Sequence, residues 1–246
     1  MEIPNEINRI YTRFDEFPME TLTKAWFANH HNGGRQRTIE EMKEHRSRYG
    51  IAGNCFDLAY WLIHEFQDAG IRAYPVGHDL ATDDAHVAVV AHFNNRRYLC
   101  DLGDQWLQPI CIDEPVVQPL SGFFPAAGIT VEPCEHEVTI HYHRPNGKIS
   151  RQRYQTEPVD MNAFLKAADF CQQNIFRKPL LEVRLPMQNE TAHWEFYNWE
   201  SFLSTSEGKQ YDPPAQTIEE WAERIHLKTG YDRTFLIEAL SLYREL

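Results

Sequence analysis

The sequence predicts an α+β fold in which helices come first, strands follow and a mixed segment ends the chain. Three observations support this prediction. The first 70 residues carry apolar side chains at helical spacing between capping signals. Residues 71–157 contain short apolar runs separated by turn signals, which is typical of antiparallel strands. The remaining residues combine both patterns, so we expect helices and strands together in the last part of the chain.

Three helices are predicted in the first 70 residues. Residues 18–30 repeat apolar side chains at helical spacing. Thr38, with a glutamate three residues later, forms a capping box that begins a second helix, and Gly50 ends it. The run CFDLAYWLIHEFQDAG forms a third helix, with Asn54 as the N-cap and Gly70 just beyond its C-terminal end.

Two hairpins are the clearest signals in the strand-rich region. Asn94-Asn95 and the segment 145–148 (PNGK) each separate two apolar or β-branched runs, and both contain residues that favour tight turns. The strands predicted in this region are 71–76, 86–93, 97–103, 137–144 and 149–157.

The C-terminal part begins with a predicted helix at 160–174. Strands are then expected at 180–185, 193–198 and 201–204. A capping box at Thr217 begins another helix that ends near Gly230, and a last helix is expected to run to the end of the chain.

Composition excludes several classes of function. The 246 residues carry a net charge of −12, which disfavours binding to nucleic acid and to anionic membranes. No apolar run approaches the roughly 20 residues that span a bilayer, and the first 16 residues contain no apolar segment typical of a secretory signal. The five cysteines are odd in number and form no CxxC pair. We therefore expect reduced thiols in a cytoplasmic protein.

Cys55 is the cysteine with the clearest activating context. It follows Gly53-Asn54 in the first turn of the third predicted helix. Free backbone amides and the helix dipole at such a position favour a thiolate, which is the nucleophilic form of cysteine. The same amides can stabilise an oxyanion that develops when the thiolate attacks a carbonyl group. Cys55 is therefore our candidate nucleophile.

The first hairpin supplies a base and a group that orients it. If Asn94-Asn95 is the turn, residues whose numbers add up to 189 face each other across the two strands. His86 and Asp101 are then diagonal neighbours on one face, about 7–8 Å apart at the backbone, within reach of their side chains. The same register turns Cys100 to the opposite face. The sequence thus predicts a Cys55–His86–Asp101 triad.

At these residues the sequence resembles the arylamine N-acetyltransferases of the transglutaminase-like cysteine superfamily. The resemblance lies in the glycine-containing turn before Cys55, the strand HVAVVAHF that starts at His86, and the segment YLCDLGDQW around Asp101. The segment YQTEPVDMNAFLKAADFCQQNIFRKPLLEVRLP and the early stretch IYTRFDEFPMETLTKAWFANHH are also similar to that family.

The resemblance implies a three-part fold with a cysteine-proteinase-like core. Its parts would be an N-terminal helical bundle at 1–75 that carries the nucleophile, a central antiparallel β-barrel at 76–178 that carries the histidine and aspartate, and a C-terminal α/β lid at 179–246. Gly103 and Trp106, which follow the aspartate, are the implied substrate-binding residues.

The resemblance also implies a reaction, namely ping-pong transfer of an acetyl or other acyl group from acetyl-CoA, through a thioester on the cysteine, to an arylamine or hydrazine. No metal, nucleic acid or membrane is expected to take part, and the sequence leaves the oligomeric state open. The segment after the aspartate, Gly103-Asp104-Gln105-Trp106, departs from the family's Gly-Phe-Gly. We therefore expect a different acceptor pocket.

Other interpretations stay open at this point. The same triad would serve a transglutaminase-like amidase or cysteine hydrolase that acts on an amide. A non-catalytic binding module with the same fold is a third possibility, which the complete Cys–His–Asp set disfavours. His141 and His143 lie two residues apart on a predicted strand, as metal ligands can, but polar residues on a solvated strand face explain them more simply.

Overall fold

The computed structural model describes residues 3–80 and 82–245. Within them it has seven α-helices and three antiparallel sheets, which confirms the predicted combination of helices and antiparallel strands. The helices are α1 (Asn5–Tyr11), α2 (Leu22–His30), α3 (Ile39–Tyr49), α4 (Cys55–Asp68), α5 (Met161–Gln173), α6 (Ile218–Thr229) and α7 (Arg233–Glu245). No helix of this part of the chain is long and apolar enough to cross a membrane.

The strands belong to three sheets. The first sheet has the order β2-β3-β4-β5, the second β6-β7-β8-β9 and the third β1-β10-β11-β12-β13. The strands are β1 (Met19–Glu20), β2 (Ala73–His78), β3 (His86–Phe93), β4 (Arg96–Cys100), β5 (Ile110–Cys111), β6 (Val116–Phe124), β7 (Ala127–Pro133), β8 (Glu137–His143), β9 (Ile149–Gln155), β10 (Leu180–Pro186), β11 (Thr191–Tyr197), β12 (Glu200–Thr205) and β13 (Gly208–Tyr211).

The closed β-barrel expected in the middle of the chain is not formed by the strand pairs of the described residues. Strands β2 to β9 instead make two separate four-stranded sheets, because β5 has only two residues and no ladder joins it to β6. The two sheets share one apolar core, to which Val76 and Val90 contribute from one sheet and Ile129 and Val131 from the other.

Most predicted elements occur near their predicted positions, and the differences have local causes. The helix expected over 18–30 begins only at Leu22, because Met19 and Glu20 pair with β10 as a short strand. Strands β6 and β7 were not predicted, because β6 is largely exposed and its pairing is irregular. The last predicted helix is α7, and Leu246 lies outside the described residues.

Two further apolar cores complete the molecule. One packs α1, α3, α4 and α5 against β3 and β4, with Phe56 and Phe66 of α4 fully buried in it. The other packs α2, α6 and α7 against β10 and β11. Residues from both ends of the chain therefore share one core. The division at residues 75 and 178 stays a prediction.

A buried ion pair supports the start of α4. The guanidinium Nη2 of Arg37 lies 3.1 Å from the Asp57 carboxylate, and both side chains are almost fully buried. The same guanidinium donates a hydrogen bond to the carbonyl of Ala52. Asp57 in turn accepts a hydrogen bond from the backbone N–H of Asn54 at 3.1 Å, and the Asn54 side chain accepts from the N–H of Asp57, which makes a capping box.

We expect Arg37→Leu to lower the free energy of unfolding by about 3–5 kcal/mol, because the substitution leaves the buried Asp57 carboxylate without its counter-charge. Urea denaturation followed by circular dichroism measures the loss. The matched control is Arg35→Leu, which removes an ion pair to Glu41 at an arginine that is 46% exposed. That variant should lose no more than about 1 kcal/mol. Equal losses in the two variants would contradict the role assigned to Arg37.

Candidate active site

Cys55 is the first residue of α4, and its side chain is partly exposed. The chain reaches it through Gly53, whose φ of 144° is unfavourable for residues with a side chain. A Cβ at this position would also collide with the Asp57 carboxylate and the Arg37 guanidinium. Gly53 is therefore required where the backbone turns over the buried ion pair, and the turn places the thiol at the helix N-terminus.

His86 and Asp101 lie together as the hairpin register predicts. Val89 pairs with Cys100 and Phe93 with Arg96, which confirms the predicted register. Asn94 and Asn95 form the turn, with φ values of 50° and 59°. The His86 Nε2 atom lies 2.7 Å from Asp101 Oδ2, and the Asp101 side chain is fully buried.

The Cys55 thiol is close enough to the His86 ring to affect its pKa. Burial lowers the pKa of His86, but the charge and hydrogen bond of Asp101 and the hydrogen bond with Cys55 outweigh burial and raise that pKa well above its usual 6.5. Because Nε2 faces Asp101, Nδ1 is the ring nitrogen left to exchange a proton with the thiol. The geometry therefore brings together a thiol at a helix N-terminus, a basic imidazole and a buried carboxylate.

Two hydrogen bonds complete the setting of Asp101, and the sequence did not point to the first of them. Tyr154 of β9 donates its hydroxyl hydrogen to Asp101 Oδ2 at 2.9 Å. The backbone N–H of Asp104 donates to Asp101 Oδ1 at 2.8 Å. The second bond is the Asx-type turn that an aspartate before Leu-Gly indicates. Nothing in the sequence around Tyr154 identifies its partner, because the contact spans 53 residues.

Gly103 lies against the candidate nucleophile. A Cβ added to it would lie 2.6 Å from the Cβ of Cys55 and 3.3 Å from Asp101 Oδ1, so only glycine fits without displacing these residues. Its predicted part in substrate binding stays a prediction.

Trp106 is fully buried, and its indole N–H lies 3.1 Å from both the Asp104 carboxylate and the Tyr142 hydroxyl. Its predicted part in substrate binding stays a prediction as well. In the structure it supports Asp104.

Asp104 is a second carboxyl group beside Asp101. Burial, together with the neighbouring charge of Asp101, raises its pKa to about 6. Its carboxylate accepts a hydrogen bond from Tyr142 at 2.5 Å as well as the bond from Trp106. The carboxyl group of Asp104 thus gains a proton more readily than that of an exposed aspartate.

Cys100 is oriented as the sequence predicts. It lies in the apolar core beneath α4, and burial raises its pKa well above the usual value, which favours the unreactive thiol. His141 and His143, the other histidines considered from the sequence, form hydrogen bonds with Glu132 and Thr130 on the neighbouring strand.

The chain matches known proteins by structure and not by sequence. No protein-family model matches the sequence, and no curated protein matches it. Solved structures of arylamine N-acetyltransferases match almost the whole chain. The enzyme from Mycobacterium marinum, solved in complex with CoA, has a TM-score of 0.73 at 11% identity and covers 95% of this chain and 90% of its own.

Two further enzymes of this kind match similarly. The arylamine N-acetyltransferase of Salmonella typhimurium has a TM-score of 0.74 at 10% identity and covers 100% of this chain and 94% of its own. The enzyme from Bacillus cereus, described as having a Cys-His-Glu catalytic triad, has a TM-score of 0.67 at 15% identity and covers 94% of this chain and 92% of its own.

The chain therefore has the mixed α/β fold of a transferase family whose members are similar to it over nearly their full length. That fold is the arylamine N-acetyltransferase fold, and the resemblance predicted from the sequence is confirmed at this level. Identities of 9% to 16% make the chain a divergent example of the fold.

The raised pKa of His86 predicts how stability depends on pH. Because the folded protein holds the His86 proton more tightly than the unfolded chain does, protonation stabilises the fold. This contribution is fully present below the unfolded pKa of about 6.5 and is lost as the pH rises through the higher folded pKa.

Urea denaturation of the wild type and of His86→Gln at a series of pH values from slightly acidic to alkaline measures this contribution. We expect the difference in unfolding free energy between the two proteins to be largest at the acidic end and to shrink as the pH rises. His136→Gln, at an exposed histidine, is the control for loss of a surface imidazole. A difference that grows with pH would contradict the assignment.

Proposed function

We propose that this protein is an acyl-CoA-dependent N-acyltransferase. It transfers an acetyl or other acyl group, through a thioester on Cys55, to an amine such as an arylamine or hydrazine. The observation that carries the proposal is the paired His86 and Asp101 near Cys55, the first residue of α4, an arrangement suited to nucleophilic catalysis. The CoA complex of the similar enzyme from Mycobacterium marinum supports acyl-CoA as the donor.

In the first half of the reaction His86 takes the proton of the Cys55 thiol. The raised pKa of His86 favours this transfer, because it makes the imidazole a stronger base. The thiolate then attacks the carbonyl carbon of the acyl-CoA thioester. The bond from that carbon to the CoA sulfur breaks. His86 gives its proton to this sulfur, and CoA leaves as the thiol.

In the second half the neutral acceptor amine attacks the acyl group on Cys55. A nitrogen–carbon bond forms, the bond from the carbonyl carbon to the Cys55 sulfur breaks, and the amine proton passes through His86 to the cysteine sulfur. The backbone amides at the start of α4 are suited to stabilise the oxyanion in both halves. Asp101 orients the imidazole and stabilises its charged form, and Tyr154 is a positioning residue that holds Asp101.

The remaining features of the hypothesis stay proposals. A small amine and an acyl-CoA are the proposed partners, and the cytoplasm is the proposed location. The three-part division into helical bundle, middle part and lid at 1–75, 76–178 and 179–246 is kept as a proposal about how the reaction is organised, with two antiparallel sheets in the middle part instead of a barrel. In this division the first part supplies the nucleophile and the second supplies His86 and Asp101.

Intact-mass spectrometry after mixing the protein with acetyl-CoA tests the covalent step. We expect a mass gain of one acetyl group in the wild type and none in Cys55→Ala. Cys134→Ala is the matched control, because Cys134 is an exposed thiol and its loss should leave the adduct intact. An adduct that persists in Cys55→Ala would refute the assigned nucleophile. No adduct with any acyl-CoA, together with hydrolysis of amides, would favour the transglutaminase-like amidase.

Asp101→Asn should slow acetylation of Cys55 by about 10³–10⁴-fold, because the amide no longer favours the required tautomer and charge of His86. Tyr154→Phe should slow it by about tenfold, the effect of one lost hydrogen bond to a charged group. Stopped-flow measurement of CoA release gives both rates. A rate for Asp101→Asn within tenfold of the wild type would remove Asp101 from the mechanism.

A further inference from the structure

Three side chains on one face of the third sheet form a cluster separate from Cys55 and His86. The register of β10 and β11 places Glu182 directly opposite Glu195, and His193 lies two residues before Glu195 on the same face. The nitrogen and oxygen atoms that these side chains offer all lie within 4.8 Å of one another. The His193 Nε2 atom is 3.6 Å from Glu182 Oε1.

Two cations, Arg144 and Lys209, line the cavity that holds the cluster and partly offset the charge of Glu195. His193 is more than nine-tenths buried, and within the described residues none of the three side chains forms a hydrogen bond. Like charges directly opposite on neighbouring strands are destabilising. Burial raises the pKa of both glutamates and lowers that of His193 to about 4, so each group is held in a setting that opposes its charge. A cation placed beside the two glutamates would favour their charged forms, and the neutral imidazole of His193 would offer it a lone pair.

The cluster lies in a cavity of about 450 Å³. That volume is within the range of small-molecule sites and far exceeds the need of a bare ion. The rings of Phe124 and Phe202 supply apolar wall, and Arg144 and Lys209 also line the cavity. The cavity therefore suits an organic ammonium better than a metal ion.

The cavity also adjoins the candidate active site. Asp104 lines it, and the backbone N–H of Asp104 is bonded to Asp101. The charges of His86 and Asp101 both affect Glu182, which places Glu182 in the electrostatic neighbourhood of the reacting groups. A molecule bound at the cluster would thus share a cavity with Asp104, the residue after Gly103, which itself lies against Cys55.

We propose that Glu182, His193 and Glu195 bind an ammonium group of the acceptor. The inference rests on the proposed acyl transfer and names its acceptor class, which is small amines that carry a second, protonated amino group. The two nitrogens have different tasks. The reacting nitrogen is neutral, as an aromatic amine is at pH 7, and forms the bond to the acyl carbon. The anchoring nitrogen is an aliphatic amine, protonated at pH 7, and lies between the carboxylates.

Two acceptors that differ only in the anchoring group test the proposal, namely 4-(aminomethyl)aniline and 4-methylaniline. With acetyl-CoA as donor we expect the wild type to have a kcat/KM at least tenfold higher for the charged acceptor, chiefly through a lower KM. In Glu182→Gln/Glu195→Gln the ratio should fall to near one. The matched control is Glu207→Gln, at an exposed glutamate in the turn between β12 and β13, and it should keep the wild-type ratio.

Isothermal titration calorimetry of the same two compounds with the unacylated protein separates this inference from the proposed function. Carboxylate-dependent binding of 4-(aminomethyl)aniline supports the ammonium site even if acetyl-CoA leaves Cys55 unmodified, a result that would overturn only the acyltransferase. A wild-type ratio near one with a normal acetyl-enzyme would overturn the ammonium site. Binding of Zn²⁺ that depends on Glu182 and Glu195, without binding of the amine, would overturn it in favour of a metal site.

Discussion

The buried contact between Arg37 and Asp57 is the interaction on which the rest of the site depends. It holds the capping residue Asn54 and the carbonyl of Ala52, so it fixes both sides of the turn that leads into α4. Gly53 follows from the same constraint, since any side chain there would enter the space of the ion pair. The position of the thiol at the helix N-terminus is thus a consequence of buried charges beneath it.

The parts of the structure that the sequence predicts well are those governed by short-range rules. The cap at Asn54 and the hairpin at Asn94-Asn95 each depend on a few adjacent residues, and both occur as expected. The hairpin alone is enough to bring His86 beside Asp101. For this reason the candidate triad could be predicted from the sequence. The residues that support it, Tyr154 and Arg37, could not.

The features that escaped prediction depend on distant pairings. Tyr154 reaches Asp101 from another sheet, and Arg37 reaches Asp57 from a segment without regular structure. The cluster at Glu182 and Glu195 arises only when β10 and β11 align, and single glutamates on a strand look like ordinary solvated residues. A closed barrel was expected from the family resemblance. Strand β5, where the barrel stays open, has only two residues and was not predicted from the sequence.

The core shared by the two ends of the chain has a consequence for synthesis. The backbone N–H of Ala52, next to the turn that carries Cys55, is held by the hydroxyl of Tyr231, and β1 is an edge strand of the C-terminal sheet. A ribosome delivers residue 231 long after residue 55, and contacts so far apart in sequence form late. While the chain is being synthesised, the turn that carries Cys55 therefore lacks its contact with Tyr231. The surroundings of Cys55 are completed only after residue 231 has been made.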